Sequence, residues 1–421
     1  MSSSPRFSVK ARAGWTRRRW LAGIGAAGAA LLRGFPAEKR PDAPNGCPPV
    51  LNGVDVLAAE GFQALRGRRL GLITNVTGHD RFRRRTLDLL AAEPRCELRR
   101  VFTPEHGLAA RKETAIPDGV EPRTGLPLVS LYGARRKPAP EHLRDLDALV
   151  FDIQDIGVRF YTYIATMGLA MEAAAEANVR FVVLDRVNPI RGDRMDGPVY
   201  EGPSRFTAFH SLPVRHGMTV GELARMFAAE RGLRCPLTVV PLRGWRRGMW
   251  FDQTGLPWTN PSPNIRTPAQ AALYPGIGIL ETANLSVGRG TDTPFELVGA
   301  PYIDDVRLAC ELRGAPIPGA AFVPARFTPL ASKHAGKECG GVRVELLNRD
   351  ACRPLDAGLA IAGAIHRLYP DRFDLDRINV LLQDPPTLAA LRRGEALSSI
   401  RARWRPQLDA FETQRRRFLL Y

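Results

Sequence analysis

One short segment, residues 101–107, joins an apolar run to a proline and then to two side chains that can carry protons, Glu105 and His106. Residues 98–102 predict a strand, and Pro104 cannot continue a central strand because it has no N–H to donate. We therefore expect Glu105 at the carboxyl end of a strand, the edge at which open parallel α/β sheets bind ligands. There its carboxyl group can work as a general acid or base, whereas the alternative is a solvated turn.

Polar side chains also follow three other predicted strands. Asn75 follows the first strand, Asp152, Gln154 and Asp155 follow the fourth, and Asp185 and Asn188 follow the fifth. A sheet needs no such residues for its own stability, whereas a polyhydroxylated ligand requires directional donors and acceptors from several sides. The pattern favours a sugar or phosphate site at this edge, with turn capping as the alternative for Asp185 and Asn188.

The sequence lacks the motifs of several common ligand classes. No G-x-G-x-x-G follows the first predicted strand and no G-x-x-x-x-G-K-[ST] occurs, so neither a dinucleotide nor a nucleoside triphosphate is predicted. His210 and His216 have no third ligand nearby, and H-E-x-x-H and G-x-S-x-G are both missing. We therefore predict no cofactor and no metal. The glycines at 276, 278, 288 and 290 are interpreted as turn residues.

Aromatic and charged residues cluster after residue 242. Trp245, Trp250 and Trp258 precede the rigid segment Asn260-Pro261-Ser262-Pro263-Asn264. Aromatic rings stack on the apolar faces of sugars, so this cluster favours a carbohydrate subsite, with core packing as the alternative. Residues 280–291 then bring Glu281 and Arg289 close together between glycines, and Arg289 is a candidate clamp for a substrate carboxylate.

The elements that must position these residues alternate between strand and helix up to residue 242. Apolar runs predict strands at 70–74, 98–102, 126–131, 148–153, 181–184 and 237–242, and helical periodicity marks 83–92, 141–146, 161–177 and 220–231. Thr219 and Glu222 predict a capping box for the last of these helices. The alternation predicts an α/β fold with a mostly parallel sheet and helices on both faces. Beyond residue 301 we predict helices at 303–313, 355–368, after Pro386 and at 400–416, and strands at 322–327 and 342–347.

The charge of the chain is strongly basic, +17 over 421 residues. Residues 1–40 hold nine Lys or Arg against one Glu, which gives +8 and leaves +9 for residues 41–421. Such a surplus fits an anionic polymer or surface. The basic residues beyond 40 form no stripe with interleaved aromatics of the kind that binds nucleic acid, so no nucleic acid partner is predicted.

The N-terminus predicts an export signal at residues 1–37. Arg17-Arg18-Arg19-Trp20-Leu21 precedes a small, apolar run at 22–32, and cleavage is expected near Ala37. The pattern is similar to a twin-arginine signal and indicates a periplasmic or secreted protein. The apolar run is too short to span a bilayer comfortably, so no stable membrane insertion is expected after export. An uncleaved anchor and a cytoplasmic basic tail are the alternatives. Residues 38–53 are predicted to be a linker.

The six cysteines, at 47, 96, 235, 310, 339 and 352, show no C-x-x-C pair and no zinc-finger spacing. Cys339 and Cys352 are the closest pair and can form a disulfide in an exported protein. Singly buried thiols are the alternative.

Several longer motifs resemble one known family. They are FTPEHG at 102–107, FDIQDIGVRFYTY at 151–163, LDRVNP at 184–189, VRHGMTVGELA at 214–224, PSPNI at 261–265, residues 281–291 and the terminal FLLY at 418–421. Together they resemble the NamZ-type exo-β-N-acetylmuramidases over nearly all of the chain after the linker. The resemblance implies a Rossmann-like catalytic domain at 54–270, a smaller α/β (α+β) domain at 271–421 and an active site in the cleft between them.

The same resemblance implies an enzyme that releases terminal N-acetylmuramic acid from the non-reducing end of peptidoglycan fragments. Glu105 matches the family's motif glutamate and Glu281 is its expected partner, although Thr282-Ala283 stands where Gly-Thr is expected. Glycoside hydrolysis usually needs two carboxyl groups, and Asp152 and Asp155 compete with Glu281 for the second role. The predicted substrate-binding residues are Asn75, His106, Asp152, Gln154, Asp155, Arg159, Tyr161, Tyr163, Asn188, His216, Asn264 and Arg289, with Lys333 and His334 as further candidates for the lactyl carboxylate.

Two other functions stay open at this point. A non-catalytic protein that binds peptidoglycan would use the same cleft without turnover. A nucleotide-sugar enzyme on a Rossmann-like sheet would need phosphate-binding glycines, which the sequence lacks.

Overall fold

The computed structural model of the protein describes residues 49–111, 116–314 and 317–421. The predicted export signal, most of the predicted linker and Cys47 lie outside these residues, so the export route and the cleavage site stay predictions. In the described part of the chain, no helix has the length and apolar character needed to cross a membrane.

Twelve strands are found among the described residues. They are β1 (Arg69–Thr74), β2 (Glu97–Thr103), β3 (Gly119–Val120), β4 (Pro127–Ser130), β5 (Ala148–Asp152), β6 (Arg180–Leu184), β7 (Asp196–Val199), β8 (Pro213–Arg215), β9 (Leu237–Val240), β10 (Leu297–Ala300), β11 (Ala320–Phe327) and β12 (Cys339–Leu346). Seven of them form a sheet in the order β3-β4-β2-β1-β5-β6-β9, parallel throughout except for the pair β3 and β4. A smaller antiparallel sheet has the order β10-β12-β11, and β7 pairs with β8.

The helices of the described residues are α1 (Gly53–Ala59), α2 (Thr86–Ala91), α3 (Tyr163–Glu176), α4 (Val220–Glu230), α5 (Pro268–Ile277), α6 (Asp305–Arg313), α7 (Pro354–Leu368), α8 (Asn379–Leu382), α9 (Pro385–Arg392) and α10 (Leu397–Arg415). Short 3₁₀ helices lie at Gln63–Leu65, Pro140–His142, Phe251–Thr254, Gly278–Thr282 and Leu375–Ile378. The predicted capping box at the start of α4 is confirmed, because the Thr219 side chain accepts from the backbone N–H of Glu222 and the Glu222 side chain accepts from the backbone N–H of Thr219.

Helices cover both faces of the large sheet, as predicted. Successive side chains of a strand point to opposite faces, and β5 is buried on both. Leu149 and Phe151 belong to the core cluster that contains α3 and α4, whereas Ala148 and Val150 belong to the cluster that contains α1 and α2. The prediction of a mostly parallel α/β sheet followed by a smaller C-terminal region is therefore confirmed.

Some predicted elements were wrong. The helix expected at 141–146 is only the 3₁₀ turn Pro140–His142. The helix expected from residue 83 begins at Thr86, since the preceding turn puts Arg83 at a φ of 63°. Helices α1 and α5 and the β7–β8 pair were missed. The predicted domain division at residue 270 falls inside α5 and stays a prediction.

Close contact between α5 and α7 depends on two glycines. A Cβ atom at Gly276 would lie 1.7 Å from the carbonyl oxygen of Pro354, and one at Gly358 would lie 2.1 Å from the carbonyl oxygen of Gly276. Gly276 is thus a helix-packing residue and not a turn glycine, which corrects the sequence interpretation. Helix α5 and the 3₁₀ helix Gly278–Thr282 after it carry Tyr274 and Glu281 toward the candidate site.

Candidate active site

A cavity of about 330 Å³ lies where the segments after β2 and β4 meet the start of α3 and the 3₁₀ helix Gly278–Thr282. Among the described residues, its lining contains two carboxyl groups and four tyrosines. The lining residues are Glu105, His106, Tyr132, Phe160, Tyr161, Thr162, Tyr163, Thr207, Ser262, Asn264, Ile265, Tyr274, Glu281, Arg289, Phe295 and Leu381. Seven of the residues predicted from sequence are therefore brought together: Glu105, His106, Tyr161, Tyr163, Asn264, Glu281 and Arg289.

Glu105 is held at the end of β2 by a tight turn and by two hydroxyl groups. His106 and Gly107 both have left-handed backbones, with φ of 70° and 68°, which turn the chain sharply after Pro104. The Thr162 hydroxyl donates to Oε2 of Glu105 at 2.6 Å, and the Tyr132 hydroxyl also hydrogen-bonds to Glu105. Burial, followed by this hydrogen bond, raises the pKa of Tyr132 to about 12, so Tyr132 keeps its proton as a donor at neutral pH.

The backbone at Glu281 is fixed by the side chain of Lys333. The Lys333 ammonium donates to the carbonyl oxygen of Glu281 at 2.6 Å and to that of Ala283. Burial lowers the pKa of Lys333, and the charge of Glu281 opposes that shift.

The loop around Glu281 has two further contacts. The Thr282 hydroxyl donates to the carbonyl oxygen of Arg377 at 2.6 Å, so the residue that departs from the family pattern is fixed in the loop by a hydrogen bond. Nη1 of Arg289 lies 3.8 Å from Oε2 of Glu281, on the cavity side.

Three buried tyrosines lie beside the two carboxyl groups. The rings of Tyr161 and Tyr163 are 5.0 Å apart at their centroids, and those of Tyr161 and Tyr274 are 5.9 Å apart. Burial raises the pKa of Tyr274 well above its usual range, Glu281 raises it further, and Glu105 adds a smaller contribution. Glu105 and Glu281 line the same cavity as Tyr274, which agrees with the effect of both carboxyl groups on its hydroxyl.

Two family models match the chain, "Exo-beta-N-acetylmuramidase NamZ, N-terminal" over residues 70–269 and "Exo-beta-N-acetylmuramidase NamZ, C-terminal" over residues 272–421. The chain belongs to the NamZ family. A curated relative, the peptidoglycan beta-N-acetylmuramidase NamZ of Bacillus subtilis (strain 168), is 39% identical over 394 residues, which cover 91% of this chain and 95% of the relative.

Two solved structures are similar to this chain. A DUF1343 family protein from Bacteroides fragilis NCTC 9343 is 37% identical, with a TM-score of 0.82, and the match covers 88% of this chain and 99% of the other. A second DUF1343 family protein from the same organism is 30% identical, with a TM-score of 0.72 and the same coverage of both chains.

Asp152 was a candidate for the second carboxyl group of this NamZ-family site, and the structure places it elsewhere. It is fully buried at the end of β5, where Nε of Arg186 donates to Oδ1 at 2.5 Å and the Thr86 hydroxyl donates to Oδ2 at 2.5 Å. Asp155, the other candidate, accepts from the backbone N–H of Gly157 at 2.7 Å and lies 3.2 Å from Nε2 of His216. Neither aspartate lines the cavity, and among the described residues Glu281 is the carboxyl group that lines it together with Glu105.

The remaining predicted binding residues outside the cavity hold the loops around it. Arg159 is buried and donates to four carbonyl oxygens, those of Pro198, Leu212, Leu381 and Leu382. Gln154 Nε2 donates to the carbonyl oxygens of Asp155 and Val187, and Asn188 Nδ2 donates to that of Met218. Asn75 accepts from the backbone N–H and the hydroxyl of Thr77. Lys333 and His334 also bind carbonyl oxygens, in the loop that carries Glu281.

Among the described residues, no tryptophan or cysteine lines the cavity. Trp245 and Trp250 are 5% and 4% exposed, and Trp258 is half-buried against Phe251, so core packing replaces the predicted sugar-stacking cluster. The five described cysteines form no disulfide, which means that Cys339 and Cys352 are separate thiols. Within the described ranges, no group of three or more His, Cys, Asp or Glu side chains could hold a metal ion.

Sequence analysis missed several residues that line the NamZ-family cavity. Tyr132 lies just after β4, so the strand-end argument applied to the other strands could have found it. Thr162 lies inside a motif that carried the family resemblance. Tyr274 gave no signal, because it lies in a helix that was not predicted.

Proposed function

We propose that the protein releases terminal N-acetylmuramic acid from the non-reducing end of peptidoglycan fragments, with Glu105 as general acid and Glu281 as the second carboxyl group. Membership in the exo-β-N-acetylmuramidase NamZ family makes the chain an exo-acting glycosidase. The assignment of roles to the two glutamates is our own.

The observation that carries this proposal is the meeting of two carboxyl groups, 176 residues apart in sequence, in one small cavity. Glycoside hydrolysis needs one carboxyl group that gives a proton to the leaving oxygen and another that activates water or attacks the anomeric carbon. Glu105 is fixed by Thr162 and Tyr132, and the backbone at Glu281 is fixed by Lys333. Because both groups are held by neighbours, little reorganisation is needed when substrate binds.

The size and chemistry of the cavity support a terminal amino sugar as the bound unit. A volume of about 330 Å³ is at the lower end of the range for small-molecule sites, and it suits a single sugar better than an internal stretch of glycan. Tyrosine rings offer apolar faces for the sugar, and Arg289 offers a guanidinium for the lactyl carboxylate. The amide of Asn264 can meet the N-acetyl group.

We also propose that the protein is exported and acts in the periplasm or outside the cell. The support is the arginine-rich and apolar pattern of residues 1–37, which lies outside the described residues. Peptidoglycan is found on that side of the cytoplasmic membrane. Cell fractionation followed by N-terminal sequencing of the mature protein tests both the location and the cleavage site.

The deciding experiment is incubation of the purified protein with a disaccharide that has N-acetylmuramic acid at its non-reducing end. Mass spectrometry should find free N-acetylmuramic acid and the second sugar, and a glycan capped at that end by another sugar should stay intact. Binding of the disaccharide without cleavage would favour a non-catalytic wall-binding protein instead.

A further inference from the structure

One exposed turn of the protein has an unusual composition. Residues 81–85, Arg-Phe-Arg-Arg-Arg, follow β1 and are here named the arginine turn. Phe82 is 58% exposed, although large apolar side chains usually avoid water. The guanidinium carbons of Arg81 and Arg84 lie 5.3 and 5.7 Å from the centroid of its ring, within the range of cation–π contact. The turn therefore presents one apolar ring flanked by two positive charges.

Asp80 fixes the shape of the arginine turn. Its buried carboxylate accepts from the backbone N–H groups of Phe82 and Arg84, at 2.9 and 2.8 Å, and from Nε of Arg84 at 2.6 Å. Arg83 has a left-handed φ of 63°, a conformation that costs free energy for a residue with a side chain. The exposure of Phe82 is thus imposed by a well-bonded turn, and a preorganised aromatic ring loses little entropy when it binds a partner.

A shallow depression of about 590 Å³ adjoins the arginine turn. Four arginines and two acidic residues contribute to its lining, which consists of Phe62, Arg83, Arg84, Arg85, Asp88, Leu89, Ala92, Glu93 and Arg123. The side chain of Arg123 is 68% exposed. Arg84, Arg85 and Arg123 form ion pairs with Asp80, Asp88 and Glu121. The lining still has two more basic than acidic side chains, which makes the depression suited to an anionic partner.

The arginine turn is connected to the wall of the active-site cavity. Arg83 donates to the Thr259 hydroxyl and to the carbonyl oxygen of Trp258, both at 3.3 Å. His79, which precedes the turn, lies 2.8 Å from the same hydroxyl through Nε2. Asn264 lies five residues after Thr259 in the sequence and lines the cavity. Five residues span at most about 18 Å even when fully extended. The two surfaces are therefore close enough for one polymer to contact both.

We propose that the arginine turn and the adjoining depression bind peptidoglycan beyond the terminal sugar, at its next sugars and carboxylate groups. The inference rests on the proposed function, because it extends the same substrate from the cavity onto the surface. Phe82 would stack on the C–H face of a sugar, and the arginines would bind carboxylates of lactyl groups or stem peptides. The site would hold the enzyme on insoluble wall material while the cavity takes the chain end.

The test measures sedimentation with insoluble peptidoglycan in the Glu105→Gln background, so that little substrate is consumed. Replacing both Phe82→Ala and Arg81→Gln should weaken binding about tenfold, since one ring contact and one charge are lost. The matched control is Val306→Ala with Arg307→Gln, which removes one exposed apolar side chain and one exposed arginine from α6 and should bind like the parent. Equal binding by all three proteins overturns the proposal.

Two further measurements separate this inference from its alternatives. With Glu105 restored, the ratio of turnover on insoluble peptidoglycan to turnover on the free disaccharide should fall about tenfold in the Phe82 and Arg81 double variant. If the double variant loses binding to vesicles of anionic phospholipid while keeping its peptidoglycan binding, the partner is a membrane and the proposal is wrong. If the protein with Glu105 cleaves no disaccharide but its sedimentation depends on Phe82, the proposed catalysis fails and the binding surface stands.

Discussion

The hydroxyl of Thr162 donates a hydrogen bond of 2.6 Å to Oε2 of Glu105, across 57 residues of sequence. Thr162 is the N-cap residue of α3, a position whose hydroxyl usually accepts from a backbone N–H of the helix, yet its side chain makes no capping bond. A missing cap costs about 1 kcal/mol of helix stability. The threonine instead orients the carboxyl group that we assign as the general acid, so the helix start serves the active site.

Replacing Glu105→Gln should lower the release of N-acetylmuramic acid by at least about 100-fold, because general acid–base groups contribute factors of that order or more. Glutamine keeps the shape of the side chain and can still accept from Thr162. The melting temperature should therefore stay close to that of the parent protein. Unchanged turnover in a disaccharide assay would remove Glu105 from the mechanism.

Thr162→Val and Tyr132→Phe should each slow turnover by about tenfold, since each removes one hydrogen bond from Glu105. Combined with Glu105→Gln, neither substitution should cost much further activity, because the group that they position is already gone. The measurement is a double-mutant cycle on kcat for the disaccharide. Independent, multiplying effects would show that these hydroxyls act elsewhere.

Lys333→Met should lower kcat by about tenfold with a smaller change in KM. The Lys333 ammonium binds the carbonyl oxygens of Glu281 and Ala283 and so fixes the orientation of the Glu281 carboxyl group. Lys333→Arg should restore part of the loss. Lys137→Met is a suitable control, since Lys137 is an exposed lysine paired with Glu176. A loss of thermal stability that fully explains the lower activity would argue against a positioning role.

Stability should fall on acidification, in part because of His79. Burial first, and Arg186 second, lower the pKa of His79 in the folded protein below its usual value near 6.5. Below about pH 6.5, His79 binds a proton in the unfolded chain but not in the folded protein. The contribution of His79 to the free energy of unfolding is therefore fully present above about pH 6.5 and is lost as the pH falls below it. Melting temperatures measured from about pH 7.5 to about pH 5 should decline less steeply for His79→Gln than for the parent. Parallel curves would show that His79 does not contribute.

Gly276→Ala should destabilise the protein by about 1–3 kcal/mol or more, because its Cβ would overlap the carbonyl oxygen of Pro354 and push α5 from α7. Gly363→Ala, in α7, is the matched comparison: its Cβ meets only the flexible end of Arg367 at 3.4 Å and Leu391 at 3.9 Å. Alanine favours a helix by about 1 kcal/mol over glycine, so Gly363→Ala should be neutral or stabilising. Urea unfolding of both variants tests the difference.

Sequence patterns predicted much of the large sheet correctly because their causes are local. The apolar run of β5 and the capping box of α4 are properties of a few consecutive residues. Pro104 is also a local signal, because it predicts that the strand ends before Glu105. The structure confirms this, since β2 ends at Thr103 and Glu105 lines the cavity. The missed helices α1 and α5 carry weaker signals. Helix α5 contains Pro275 and Gly276, and its glycine is explained only by contact with α7.

The sequence alone predicts which segments end at the ligand-binding edge of the large sheet. Which of their side chains line the cavity depends on packing between distant segments. Asp152 ends β5 and Glu105 lies just after β2, two strands of the same sheet. Arg186 and Thr86 nevertheless cover the aspartate, while the glutamate stays half-buried in the cavity. Arg159 likewise meets carbonyl oxygens from segments as distant as Leu381 and Leu382. A polar side chain becomes structural or functional according to what packs over it, and those partners come from parts of the chain that local pattern cannot relate.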